Sequence, residues 1–75
     1  MKSRHDLRNT VRQHRLLTDM TQQDLADRIG VTRQTILSIE KAKYTPSVAL
    51  ALRIARVLGV SVETLFQVDQ GDRDD

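Results

Sequence analysis

The sequence predicts an all-α fold, a compact orthogonal bundle of five short helices, and three observations point to it. Ser or Thr residues suited to capping helices recur at Thr21, Thr32, Ser47 and Ser61, each followed by apolar residues at helical spacing. No segment of four or more residues alternates apolar and polar convincingly, and no Asn-Gly or Asp-Gly turn is present, so strand signals do not recur as helix signals do. Seventy-five residues without cysteine, with Tyr44 and Phe66 as the only aromatics, require an aliphatic core. Its support has to come from tight helix packing or a second copy, since neither disulfides nor a Cys-based zinc site can supply it.

Leu7 and Val11 start a first helix expected to run to about Thr18. Thr21 caps the second, with Asp24 three residues on as a capping-box partner and Leu25, Ala26 and Ile29 as its apolar stripe. Gly30 ends it, because glycine takes the left-handed exit at no steric cost. Thr32 caps a third helix that turns Ile36, Ile39 and Glu40 to one face. Ala42 to Pro46 reads as a loop, since Pro46 drives Thr45 out of helical angles. Ser47 caps a fourth helix with Leu50, Ala51, Ile54, Ala55 and Leu58 on its buried face, stopped by Gly59. Ser61 caps a short fifth helix carrying Val62, Leu65 and Phe66. Residues 1–68 are expected to form one domain, followed by an acidic tail, 69–75, expected to be disordered.

Charge separates along the chain. The tail holds four acids and one base, net −3, and the first 68 residues hold 11 bases and six acids, net +5. Nine of the 12 basic residues are Arg, whose planar fork suits phosphate and guanine better than Lys does. A basic domain of this kind fits a polyanionic partner, though many small soluble proteins are similarly charged. The N-terminal stretch is polar and no apolar run approaches a membrane span, so a cytoplasmic, non-membrane protein is expected.

The stretch from Thr21 to Lys41 carries the functional reading. Two capped helices separated only by Gly30 and Val31 have to cross steeply, at roughly 90–120°. The second of them then stands out as a ridge sized for the DNA major groove. With Ile36 and Ile39 turned inward, Arg33, Gln34, Leu37, Ser38 and Lys41 fall on the outer side. A guanidinium can fork onto guanine, an amide can pair with adenine, and a leucine can touch a thymine methyl. A solvated face would also be polar, but it would not need Leu37. The helix N-termini at Thr21 and Thr32 add backbone N–H groups that favour phosphate oxygens.

The run Met20-Thr-Gln-Gln-Asp-Leu-Ala-Asp-Arg-Ile-Gly-Val-Thr-Arg-Gln-Thr-Ile-Leu-Ser-Ile-Glu-Lys, of pattern TQxxLAxxxGVxxxxIxxIE, resembles the Cro and phage-repressor type helix-turn-helix family of transcriptional regulators. Lys43-Tyr44-Thr45-Pro46-Ser47 and Leu58-Gly59-Val60-Ser61-Val62 extend the likeness to its short single-domain members, over about residues 7 to 67. The resemblance implies a lambda-repressor-like DNA-binding domain. It further implies that Gln22 bridges phosphate and the recognition helix, and that Arg33 and Gln34 read bases. Thr35 and Ser38 would contact phosphate or bases, and Lys41, Lys43 and Tyr44 would follow the sugar-phosphate backbone. Arg15 and Glu40 would tie the first helix to the third, which has a physical reason: an inward carboxylate needs a partner, and Arg supplies a bidentate one. Asp19 and Ala42 depart from the family, which places Gly, or Gly and Asn, at these helix exits. Arg4, Arg8 and Arg12, spaced by four on the first helix, form a solvated stripe or add nonspecific attraction to DNA.

One recognition helix reads few base pairs, and dimers present two about 34 Å apart on a near-palindrome. Leu52, Val57, Val62, Leu65 and Phe66 remain after the core is filled, and they form the expected homodimer interface, unless Leu65 and Phe66 simply close the core. Two readings compete with DNA binding. Catalysis lacks a phosphate loop, a cysteine and a Ser, His and Asp cluster, and His5 and His14, nine apart on one helix, would face opposite ways, so no metal or cofactor is expected. A protein-binding role, as an antitoxin holding a toxin, would need a wrapping segment longer than the seven-residue tail. A restriction-modification controller would be a small dimer of the same kind.

Overall fold

The computed structural model describes residues 7–68. In chain order they form β1 (Leu7–Asn9), α1 (Val11–Leu17), α2 (Gln22–Ile29), α3 (Arg33–Glu40), α4 (Val48–Leu58), α5 (Val62–Leu65) and β2 (Phe66–Val68). Five short helices make the body of an all-α bundle. The acidic tail, Arg4 and His5 lie outside the described residues.

Hydroxyl caps set the helix starts. Thr21, Thr32, Ser47 and Ser61 are all extended, and each accepts the amide of the residue three positions on. At Thr21 the arrangement is reciprocal, because the Asp24 carboxylate accepts the Thr21 N–H at 2.9 Å. Left-handed residues set the exits. Gly30 and Gly59 have φ of 79° and 74°, and a Cβ built on either would meet nothing within 4 Å. The backbone angle, not crowding, is what favours glycine there. Asp19 and Ala42 adopt the same region, with φ of 61° and 60°, where a side chain is strained. Both exits close alike, with Met20 N–H donating to the Arg15 carbonyl and Lys43 N–H to the Ser38 carbonyl.

The core gathers one face of every helix: Val11 from α1, Leu25, Ala26 and Ile29 from α2, Ile36 and Ile39 from α3, Leu50, Ile54, Ala55 and Leu58 from α4, and Leu65 from α5. Burying each large aliphatic contributes about 1.5–3 kcal/mol. α2 packs against both α3 and α4, and α1 also meets α3, whose Arg33 and Gln34 stay exposed.

The structure corrects the sequence reading at both ends. The first helix does not begin at Leu7. Residues Leu7–Asn9 form a strand antiparallel to β2, with Leu7 opposite Val68, Arg8 opposite Gln67 and Asn9 opposite Phe66. Three residues are too few to display alternation, and the pairing partner lies at the far end of the chain. Phe66 consequently leaves the fifth helix for β2, and Arg8 and Arg12 do not share a helix. Leu65 is fully buried in the core of its own chain, so it is unavailable as a dimer contact. Val57, Val62 and Phe66 pack partly against that core, while Leu52 is 56 % exposed.

Candidate nucleic-acid interface

α3 presents a short, well-anchored surface. Thr32 accepts the Thr35 N–H at 3.3 Å, and the two hydroxyls lie 3.1 Å apart, which fixes the first turn. No acid stands in that turn, so the positive end of the helix is uncompensated by its own side chains. Ile36 and Ile39 are buried below. Arg33, Gln34 and Lys41 are exposed on the other side, and Thr35, Leu37 and Ser38 are half-buried along its flanks. Lys43 and Tyr44 follow in the exposed loop.

The far end of α3 is locked by a buried polar cluster. Arg15 Nε lies 2.6 Å from Glu40 Oε2, and a second guanidinium nitrogen donates to Oε1 at 3.2 Å. The third arm of Arg15 donates to the Met20 carbonyl at 2.8 Å, tying the α1 exit into the same cluster. Gln22 Nε2 donates to Glu40 Oε1 at 3.2 Å, so the first residue of α2 reaches the last residue of α3. Both members of the ion pair are almost withdrawn from water, and every charge on them meets a partner. The two helices are thereby joined at Gly30 and Val31 and clamped again at Gln22 and Glu40.

The N-terminus of α2 differs from that of α3. The Thr21 amide is taken by Asp24, whose carboxyl is held below the ordinary aspartate value by that N–H first and the Thr21 hydroxyl second. A carboxylate already occupies the position that the sequence reading left open for a phosphate at Thr21. Thr32, with no acid beside it, keeps its helix end free of that competition.

Asn9 was missed by sequence reasoning. Its carbonyl accepts the Val11 N–H at 3.1 Å, and its amide donates to the Ile39 carbonyl at 2.9 Å, at the end of α3. An Asn two residues before a helix start is an Asx-turn signal, concealed here by placing Asn9 inside the first helix. A separate apolar groove of about 750 Å³ runs between α4 and α5, and Leu52, Val62 and Phe66 line it together with Val48, Pro46 and Leu7. Among the described residues no helix is long and apolar enough to cross a membrane, and no group of three or more His, Cys, Asp or Glu side chains could hold a metal ion.

Residues 11–65 match the model of the family described as helix-turn-helix. An uncharacterized HTH-type transcriptional regulator of Methanothermobacter thermautotrophicus is 49% identical over 65 residues, covering 85% of this chain and 94% of the relative. Among solved structures, the biofilm master regulator SinR in complex with DNA superimposes with a TM-score of 0.66 at 31% identity, over 72% of this chain and 87% of SinR. A protein from Bacteroides fragilis shares the fold with a TM-score of 0.75 at 23% identity, over 81% of this chain and 98% of its own. The chain belongs to the helix-turn-helix family of DNA-binding transcriptional regulators and is not an enzyme.

Proposed function

We propose that this regulator is a cytoplasmic repressor that docks α3 in the major groove of double-stranded DNA, as a homodimer on a near-palindromic operator. Residues 1–68 serve as the DNA-binding domain and residues 69–75 as an acidic appendage. The observation that carries the reading is the two-sidedness of α3. Its inner side is fixed by Ile36, Ile39 and the Arg15–Glu40–Gln22 cluster, while Arg33 and Gln34 stand in water on the other. A rigid helix fixes where its long polar side chains begin, so only their own rotamers have to be ordered when they meet base edges. In this reading Arg33 forks onto guanine, Gln34 pairs with adenine, Leu37 meets a thymine methyl and Ser38 bonds locally. Gln22, Thr32, Thr35, Lys41, Lys43 and Tyr44 meet the backbone and set orientation. The likeness to a solved regulator in complex with DNA supports it.

The dimer is assigned to the α4–α5 groove. Exposed Leu52 and Val48 flank an apolar trough large enough to take side chains of a second copy. Its lining includes one base, Arg56, and one acid, Glu63. A two-fold contact sets each residue of one copy against its counterpart surface on the other, so one base and one acid on the same patch can pair reciprocally. Titrating wild type and Arg33→Ala against DNA upstream of the protein's own gene, over a salt series, tests the docking. Arg33→Ala is expected to cost ~1–3 kcal/mol and relax selection at one base, whereas Lys43→Ala weakens all sequences alike and flattens the salt slope by about one unit. Two variants indistinguishable from wild type would remove this contact map.

A further inference from the structure

We infer that Asn9 is a positioning residue for DNA binding, holding the end of the recognition helix and the loop after it against the β1–β2 sheet. The inference rests on the reading above that Lys43 and Tyr44 meet the DNA backbone.

The side chain works in two directions. Its carbonyl oxygen caps α1 through the Val11 N–H, and its amide donates to the Ile39 carbonyl, 30 residues away. That same carbonyl accepts the Ala42 N–H at 2.9 Å, and Ala42 is one of the two left-handed non-glycine residues. Asn9 therefore fastens the atom on which the strained exit turns. The next amide, Lys43 N–H, donates to Ser38 on the outer half of α3, so the loop and the base-facing side of the helix move together.

Asn9 is itself held. On β1 it pairs with Phe66 of β2, and the neighbouring Thr10 donates its N–H to the Leu65 carbonyl at 2.9 Å and its hydroxyl to the Thr64 carbonyl at 3.1 Å. A crevice of about 170 Å³ lies between the strands and the loop, bounded by Leu7, Asn9 and Phe66 on one side and by residues 42–46 on the other. Residues 42–45 of the loop are exposed, with a strained Ala42 where glycine is favoured, and the Asn9 amide adds to the loop's own backbone bonds a hold from a paired strand. A sheet of two three-residue strands, far from α3 in sequence, is thus given a role: it is the footing for Asn9.

Asn9→Ser separates the two functions of the side chain, because a serine hydroxyl can still accept the Val11 N–H, though more weakly, but is too short to reach Ile39. Ile54→Val, a core change in α4, serves as a control for lost stability. Amide hydrogen exchange is measured first, on the free protein. In Asn9→Ser the Ala42 and Lys43 amides are expected to exchange faster relative to those of α4, a pattern Ile54→Val does not produce. DNA affinity is then expected to fall about two- to ten-fold in Asn9→Ser, with a flatter salt slope, while Ile54→Val binds as wild type does when fully folded. Adding Lys43→Ala should shrink the Asn9→Ser effect, since both act through one loop. Unchanged loop exchange, or a loosened loop with undiminished affinity, would overturn the inference. If Lys43→Ala alone left binding intact, the failure would belong instead to the assignment of the loop to the DNA backbone, because the exchange result stands without DNA.

Discussion

Arg15 Nε and Glu40 Oε2 approach to 2.6 Å across 25 residues of chain, in a site from which water is almost excluded. The pair joins α1 to the last residue of α3. Its worth is asymmetric. Removing one partner leaves a buried charge without a counterion, while removing both leaves only a gap to be filled. Glu40→Ala or Arg15→Ala is expected to cost about 3–5 kcal/mol in urea unfolding, and Arg15→Met with Glu40→Leu considerably less than either. A double variant as unstable as the sum of the singles would show that the pair is not a closed unit.

Ala42 points to a gain. A left-handed alanine costs about 1–2 kcal/mol, against roughly 0.5–1 kcal/mol for the extra freedom that glycine has in the unfolded chain. Ala42→Gly should therefore raise stability by about 0.5–1 kcal/mol, and the melting temperature by several degrees for a domain of this size. Asp19→Gly acts in the same direction but by less, because Asp tolerates the region better than Ala. A fall in melting temperature for Ala42→Gly would mean that its Cβ has contacts worth more than the strain.

The features that could be read in the sequence are local ones. A hydroxyl cap and its amide lie three residues apart, a glycine exit is one residue, and helical spacing alone turns Ile36 and Ile39 to one side with Gln34 opposite them and Arg33 at the edge. The Arg15–Glu40 pairing spans two elements, and in the sequence it rested on family likeness plus the rule that an inward carboxylate needs a cation. What could not be read depends on distant partners. Leu7 and Val11, four apart, imitate a helix, and nothing near them announces that Phe66–Val68 will pair with Leu7–Asn9. That misplacement also concealed Asn9. Among the C-terminal apolar residues, a helix of a single turn gives too little periodicity to separate Leu65, which is buried, from Val62 and Phe66, which are half-exposed.

The dimer proposed at the α4–α5 groove makes a prediction about assembly. Leu52→Glu puts a charge where an apolar contact is needed, and sedimentation should shift toward monomer with the melting temperature nearly kept, since Leu52 is not part of the protomer core. Charge reversal is the sharper probe. Arg56→Glu alone should weaken the dimer, and adding Glu63→Arg should restore it, because the two-fold contact then recovers opposite signs. Failure of the second change to restore the dimer would place the interface elsewhere.

Asp24 gives the pH dependence a defined sign. Its carboxyl sits below the ordinary aspartate value because the Thr21 N–H, and then the Thr21 hydroxyl, engage it, and Arg28 adds a smaller attraction. The unfolded chain lacks these partners, so across this range it binds the proton more readily than the folded one does. The resulting stabilisation is fully present above the unfolded value and is lost as pH falls through the folded one. The stability difference between wild type and Asp24→Asn should thus be largest near neutrality and should shrink as the solution is acidified below the usual carboxylate range. Asparagine can still accept the Thr21 amide, so what disappears with acid is the charged part of the capping box alone. A difference that stayed constant with pH would mean that the carboxylate's charge contributes nothing to the start of α2.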